Sequence, residues 1–167
     1  SADTTASVGN GAVITKATSD NAGDIEVKAT ENGQFINLAA GSSAADEAGI
    51  SGNIAVSVVP SCETRATIEQ GAVVNNAKDV TVEATKDDNW YDVIFSFANS
   101  KGSVAFGAST LFIFDTVTSY IMGTVTASGD VLVNALYDKA FLNVGINMGL
   151  AKSGQAPPEE PNIIEDR

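Results

Sequence analysis

The phrase DVTVEATK at residues 79–86 occurs in two further versions, DIEVKATE at 24–31 and DVLVNALY at 130–137. The leading aspartates, Asp24, Asp79 and Asp130, stand 55 and 51 residues apart. The likeness extends to both sides. Gly11-Ala-Val-Ile, Gly71-Ala-Val-Val and Gly123-Thr-Val-Thr precede the three phrases, and Phe35-Ile-Asn-Leu, Val93-Ile-Phe-Ser and Phe141-Leu-Asn-Val follow them. A further alternating segment and a Thr-rich step complete two of the copies, at Asn53–Ile68 and Ala108–Ile121. Recurrence at a nearly fixed period limits a chain to architectures in which one supersecondary unit stacks on the next.

The repeated unit is written in strands. In DVTVEA, Val80, Val82 and Ala84 fall on one face and Thr81 and Glu83 on the other, the period of two that marks a sheet with one buried side. The apolar runs are four to seven residues long and are broken by Gly, Asn, Asp and Ser. Gly41–Ser43, Asn99–Gly102 and Lys152–Gly154 read as turns, and Ser42–Ile50 is the best of few helix candidates. The expected fold is all-β, a right-handed parallel β-helix (β-solenoid), with a β-sandwich as the alternative. A single coil cannot bury its inward face alone, but a stack sets like residues about 4.8 Å above one another. At strand lengths of this kind a 51–55 residue unit would hold two or three coils. The solenoid is expected over residues 1–154, as about two and a half copies. The Pro-rich acidic stretch 155–167 (QAPPEEPNIIEDR, from Gln155) reads as a linker or tail.

Composition narrows the function. Nine Lys and Arg against 21 Asp and Glu give a formal net charge of -12, which argues against nucleic-acid partners and anionic membrane surfaces. No run of 18 apolar residues is present, so insertion into a membrane by this segment is not expected. The chain has no histidine, the usual general base and metal ligand near neutrality. Cys62 is the lone cysteine, which excludes an internal disulfide or a cysteine-cluster zinc site. A start at Ser1 without a basic and apolar leader reads as a fragment or mature form of something larger.

The succession Gly-x-Val-x, then Lys/Gly-Asp-Val-x-Val-x-Ala, then alternating apolar blocks resembles the passenger repeats of bacterial filamentous adhesins. The leukotoxin-type filamentous adhesins and related large autotransporters are the nearest likeness. It covers roughly residues 7–154. The resemblance implies a secreted or outer-membrane-attached surface protein, a stalk or adhesive rod whose repeats carry no catalytic residues. It implies as partners a host surface glycan or protein and the neighbouring repeats of the same chain.

Read residue by residue, the chain offers one binding candidate. In KDDNWYD, Asp87, Asp88 and Asp92 surround Trp90 and Tyr91, rings for stacking on sugars and carboxylates for their hydroxyls. The bland alternative is a solvated loop between two strands. The acid spacing misses known calcium-loop patterns, and no metal or cofactor is expected. Glu63 and Arg65 share a strand face and read as a surface ion pair. Phe95, Phe97, Phe106, Phe112 and Phe114 read as core rings, Cys62 as a small packed hydrophobe, and Asn37, Asn143 and Asn147 as corner residues. No enzyme activity is expected. The rival reading is a carbohydrate-binding or polysaccharide-degrading β-helix.

Overall fold

The computed structural model describes residues 3–15 and 23–151. The stretch 155–167 expected to be a linker or tail lies outside the described residues. The described chain is a succession of strands in three rounds, without a helix. The first round is β1 (Thr4–Val8), β2 (Val13–Thr15), β3 (Ile25–Ala44) and β4 (Ala48–Val59). The second is β5 (Glu63–Ile68), β6 (Val73–Ala77), β7 (Val80–Ser100) and β8 (Gly102–Ile113). The third is β9 (Thr116–Ile121), β10 (Thr124–Ala127) and β11 (Val131–Ala151).

Each strand pairs with its counterpart one round away. The sheets are β1-β5-β9, β2-β6-β10, β3-β7-β11 and β4-β8. The pairing is parallel, with Thr4 opposite Thr64 and Thr64 opposite Val117 in one sheet. In the next, Val13 lies opposite Val73 and Val73 opposite Thr124. The three phrases stack on each other: Ile25 N donates to Asp79 O and Val80 N to Asp130 O, both at 2.8 Å. This is a parallel β-helix.

The corners repeat as well. Gly11 (φ 77°) and Gly71 (φ 83°) stand just before β2 and β6 in the left-handed region that glycine enters without cost. In both tight turns an alanine N–H closes onto a carbonyl three residues back, Ala12 to Gly9 and Ala72 to Glu69, each at 3.1 Å.

Several local expectations change. One repeat makes one round of four strands, not two or three coils, because β3, β7 and β11 run 20 or 21 residues without interruption. Gly41–Ser43 lies inside β3, and the chain turns at residues 45–47 instead. The helix candidate Ser42–Ile50 is the end of β3, that turn and the start of β4. Its backbone stays in the ladder, with Ala45 N donating to Asn99 O at 3.1 Å. Asn37, Asn143 and Asn147 lie within strands.

The described chain divides into two compact units. One comprises residues 3–15, 23–37, 56–92 and 110–143. Its core is the column work of the repeats: Val27 and Ala29 from β3, Ala66 and Ile68 from β5, Val74 from β6, and Val80, Val82 and Ala84 from β7. Such shoulder-to-shoulder aliphatic burial is the main stabilising term.

The other unit comprises residues 38–55, 93–109 and 144–151. Apart from Ile94, its buried residues are small or polar. Ser100 Oγ lies 3.0 Å from where a Cβ on Gly49 would be, and Asn53 donates to Ser96 Oγ at 3.0 Å and to Phe95 O. Its outward residues are apolar, with Ile54 72% and Phe106 48% exposed. The expected core role of the phenylalanines is therefore overturned for Phe95, Phe106, Phe112 and Phe114, all of which point outward. Phe106 lies over Gly52 of the neighbouring strand, where any side chain would collide with the ring.

Candidate functional site

KDDNWYD is not a loop. It lies within β7, whose alternation sends successive side chains to opposite faces. Lys86, Asp88 and Trp90 point inward and are buried, and Asp92 continues that row with its Oδ1 buried and without a hydrogen-bond partner. Asp87 and Tyr91 belong to the opposite row. The five residues expected to form one binding patch are thus divided by the sheet: Asp87 and Tyr91 share the outer face, while Asp88, Trp90 and Asp92 face in.

Trp90 stacks on Phe35 of β3, with centroids 3.9 Å apart and planes within 8°. The two rings line an open pocket of about 420 Å³ together with Asn37, Ser57, Val58 and Pro60. Asn37 Nδ2 donates to Ser57 Oγ across it at 2.9 Å. The Trp90 Nε1–H is buried without an acceptor, one polar group the pocket leaves unsatisfied.

Beside Trp90 the interior holds a compact polar cluster. Lys86, 1% exposed, donates from Nζ to Glu31 Oε1 at 2.9 Å, and lies 3.3 Å from Asp115 Oδ2 and 3.8 Å from Asp88 Oδ2. Glu31 is held from its other oxygen by Thr64 Oγ1 at 2.7 Å. Asp115, in the connection between β8 and β9, accepts from the Cys62 backbone N–H at 3.3 Å. Cys62 is itself buried, as a small packed side chain should be. Tyr137 of β11 completes the group, its Oη 2.9 Å from Asp88 Oδ2 and 3.0 Å from Asp115 Oδ2.

A phenol has one hydrogen, which the Tyr137 hydroxyl offers between the two carboxyl groups. Burial pushes the Asp88 carboxyl above its ordinary value, against the opposing pull of Tyr137 and Lys86. Burial also acts on Asp115, but the hydrogen bonds from Tyr137 and Lys86 outweigh it and hold this acid below its ordinary value. Tyr137 thus bridges two acids of unlike character, and of the two it is Asp88 whose neutral form burial favours. Burial draws the Lys86 ammonium down, yet its bonds to Glu31 and Asp115 leave it above its ordinary value, so it rests charged. The Tyr137 phenol is pushed up by burial and by both aspartates, and stays protonated.

Sequence reasoning singled out Asp88 alone of this group. A signal was present: Glu31, Lys86 and Tyr137 are the eighth residues of the three repeated phrases. Stacking those phrases superimposes an acid, a base and a phenol in one interior column. Glu63 and Arg65 do form the expected pair, with Arg65 Nε donating to Glu63 Oε1 at 2.8 Å on a partly exposed face. Among the described residues no group of acids or sulfurs is arranged to hold a metal ion. Comparison with known protein families, with characterised proteins and with solved structures returns no match.

Proposed function

We propose that this chain is a non-catalytic structural and adhesive repeat segment of a bacterial cell-surface or secreted adhesin. It acts as a spacer and offers its outer face to a host surface glycan or protein. The observation that carries the reading is the like-on-like stacking of three repeats. It directs the reactive side chains of β7 inward and leaves Asp87 and Tyr91 as the polar and aromatic outer pair. A ring able to stack and a carboxylate able to accept hydroxyl hydrogen bonds, four residues apart on the same face of one strand, suit a sugar or a polar peptide.

A glycan array and a panel of host matrix proteins, probed with the wild-type chain and with Tyr91→Ala, test this. Binding that falls at least about tenfold in Tyr91→Ala, equivalent to about 1.4 kcal/mol, supports the reading. Turnover of a polysaccharide, abolished by Glu63→Gln or Asp88→Asn, would replace it with the glycan-cleaving alternative.

A further inference from the structure

We propose that Lys86 and Asp115 condense to an intramolecular amide, so that the interior cluster is a self-modification site that covalently ties β7 to the connection between β8 and β9. Four features of the cluster support this. The amine is 1% exposed and lies 3.3 Å from an Asp115 carboxyl oxygen. A second carboxylate, Glu31, lies 2.9 Å from the same nitrogen and can take its proton. A third acid, Asp88, lies 2.9 Å from the Tyr137 hydroxyl, itself 3.0 Å from Asp115, so a proton taken up by Asp88 has a path to Asp115. The surroundings are crowded, with Lys86 1% and Asp88 0% exposed. A buried group of ions is costly to keep, and joining the amine to an acid removes one charge of each sign at once.

The step balances without any added reagent. Glu31 takes one proton from the Lys86 ammonium. Tyr137 passes a proton to Asp115 and is refilled from Asp88, so Asp115 becomes the neutral acid. The free amine attacks Asp115 Cγ. The departing hydroxyl collects the proton held on Glu31 and leaves as water, and the surplus proton on the new nitrogen goes to Asp88. Glu31 ends as a carboxylate and Asp88 as an acid, as both began, and the net change is ammonium plus carboxylate to amide plus water. Because the ammonium is the resting form, the reaction runs through the proton transfer along the Lys86–Glu31 hydrogen bond. Glu31 is suited to the role of base and not of electrophile, since Thr64 occupies its second oxygen and no acid proton reaches it. The proposal does not depend on the outer face binding a ligand.

Intact-mass measurement of the purified wild-type chain is the test. The expected result is a single species lighter than the sequence by one water, with a branched peptide joining Lys86 to Asp115 after digestion. Lys86→Arg, which keeps the charge but cannot form this amide, should appear at its full mass. Asp88→Asn, which breaks the proton relay with little change of shape, should leave a full-mass peak that wild type lacks. A wild-type chain at full mass overturns the proposal whatever the variants do. A branch from Lys86 to Glu31 or to Asp88 also overturns it, because the electrophile would then be a different residue.

Discussion

Asp79 is the residue that ties one repeat to the next at the head of the phrase. Its Oδ1 accepts the Asp130 backbone N–H at 2.8 Å, and Gly129 leaves room for it where any larger side chain would collide. That backbone hydrogen bond, supported by Lys78, holds the Asp79 carboxyl below its ordinary value of 3.8. A folded-state value below the unfolded one means the stabilisation is present above the unfolded value and is lost as the pH falls through the folded one. Thermal melts of wild type should therefore decline on acidification below about pH 4 more steeply than those of Asp79→Asn. At neutral pH the variant should melt lower, because its amide loses the charge-assisted contact. Parallel pH curves for the two proteins would show that this contact contributes nothing. The same phrase illustrates what a sequence yields at single-residue resolution. Its aspartate and its alternating valines are visible as a pattern, whereas the partner of Asp79 is a backbone amide 51 residues on, which has no sequence signature.

Among the strands, β7 carries the clearest test of facing. Val82 is fully buried in the aliphatic column with Val27, while Thr81 beside it lies on the opposite face. Val82→Asp should cost about 3 kcal/mol or more in denaturant unfolding, since it leaves a carboxylate buried without a partner. Thr81→Asp should stay within about 0.5 kcal/mol of wild type. Equal losses would mean that the strand presents both faces to the interior. The facing of DVTVEA was legible because one face is Val, Val, Ala and the other is Thr, Glu. Further along the same strand the signal fails. In Ile94-Phe-Ser-Phe-Ala-Asn-Ser the larger side chains, Phe95 and Phe97, occupy the row opposite to buried Ile94, Ser96, Ala98 and Ser100. Period two survives there, but hydrophobicity alone assigns the wrong face. What decides is the closeness of the neighbouring backbone on the inner face, visible in the Ser96 hydroxyl bonding to Phe106 O. Strand length was hidden for a related reason: Gly, Ser and Asn read as breaks, yet they line a narrow interior without leaving the ladder.

The whole molecule follows from pairing each strand with its own counterpart one repeat away. The period in the sequence was enough to indicate a stack, and the equivalent phrases do lie on one another. The number of coils per repeat was not legible, because β3, β7 and β11 run on without interruption through residues that read as breaks. A parallel stack also sets a gradient of stability. Among the described residues β5, β6 and β7 of the second coil have a partner on both sides, whereas β1, β2 and β3 at one end and β9, β10 and β11 at the other each pair on one side only. The burial follows: Val74, Val80 and Val82 are fully enclosed, while Val131, Leu132 and Val133, at the start of β11, are about half exposed. Stability in a repeat array is a sum of coil and interface terms, so a coil with two interfaces opens less often than a coil with one. Native-state hydrogen exchange should thus be slowest at the amides of β6 and the first half of β7, and at least about tenfold faster in β2 and β11. If Lys86 is also bonded to Asp115, the contrast should narrow in Lys86→Arg, where β7 loses its covalent tie to the connection after β8 and keeps only its two ladders. A protein in which all three coils exchanged at one rate would open as a single unit, and the three repeats would then be energetically one element.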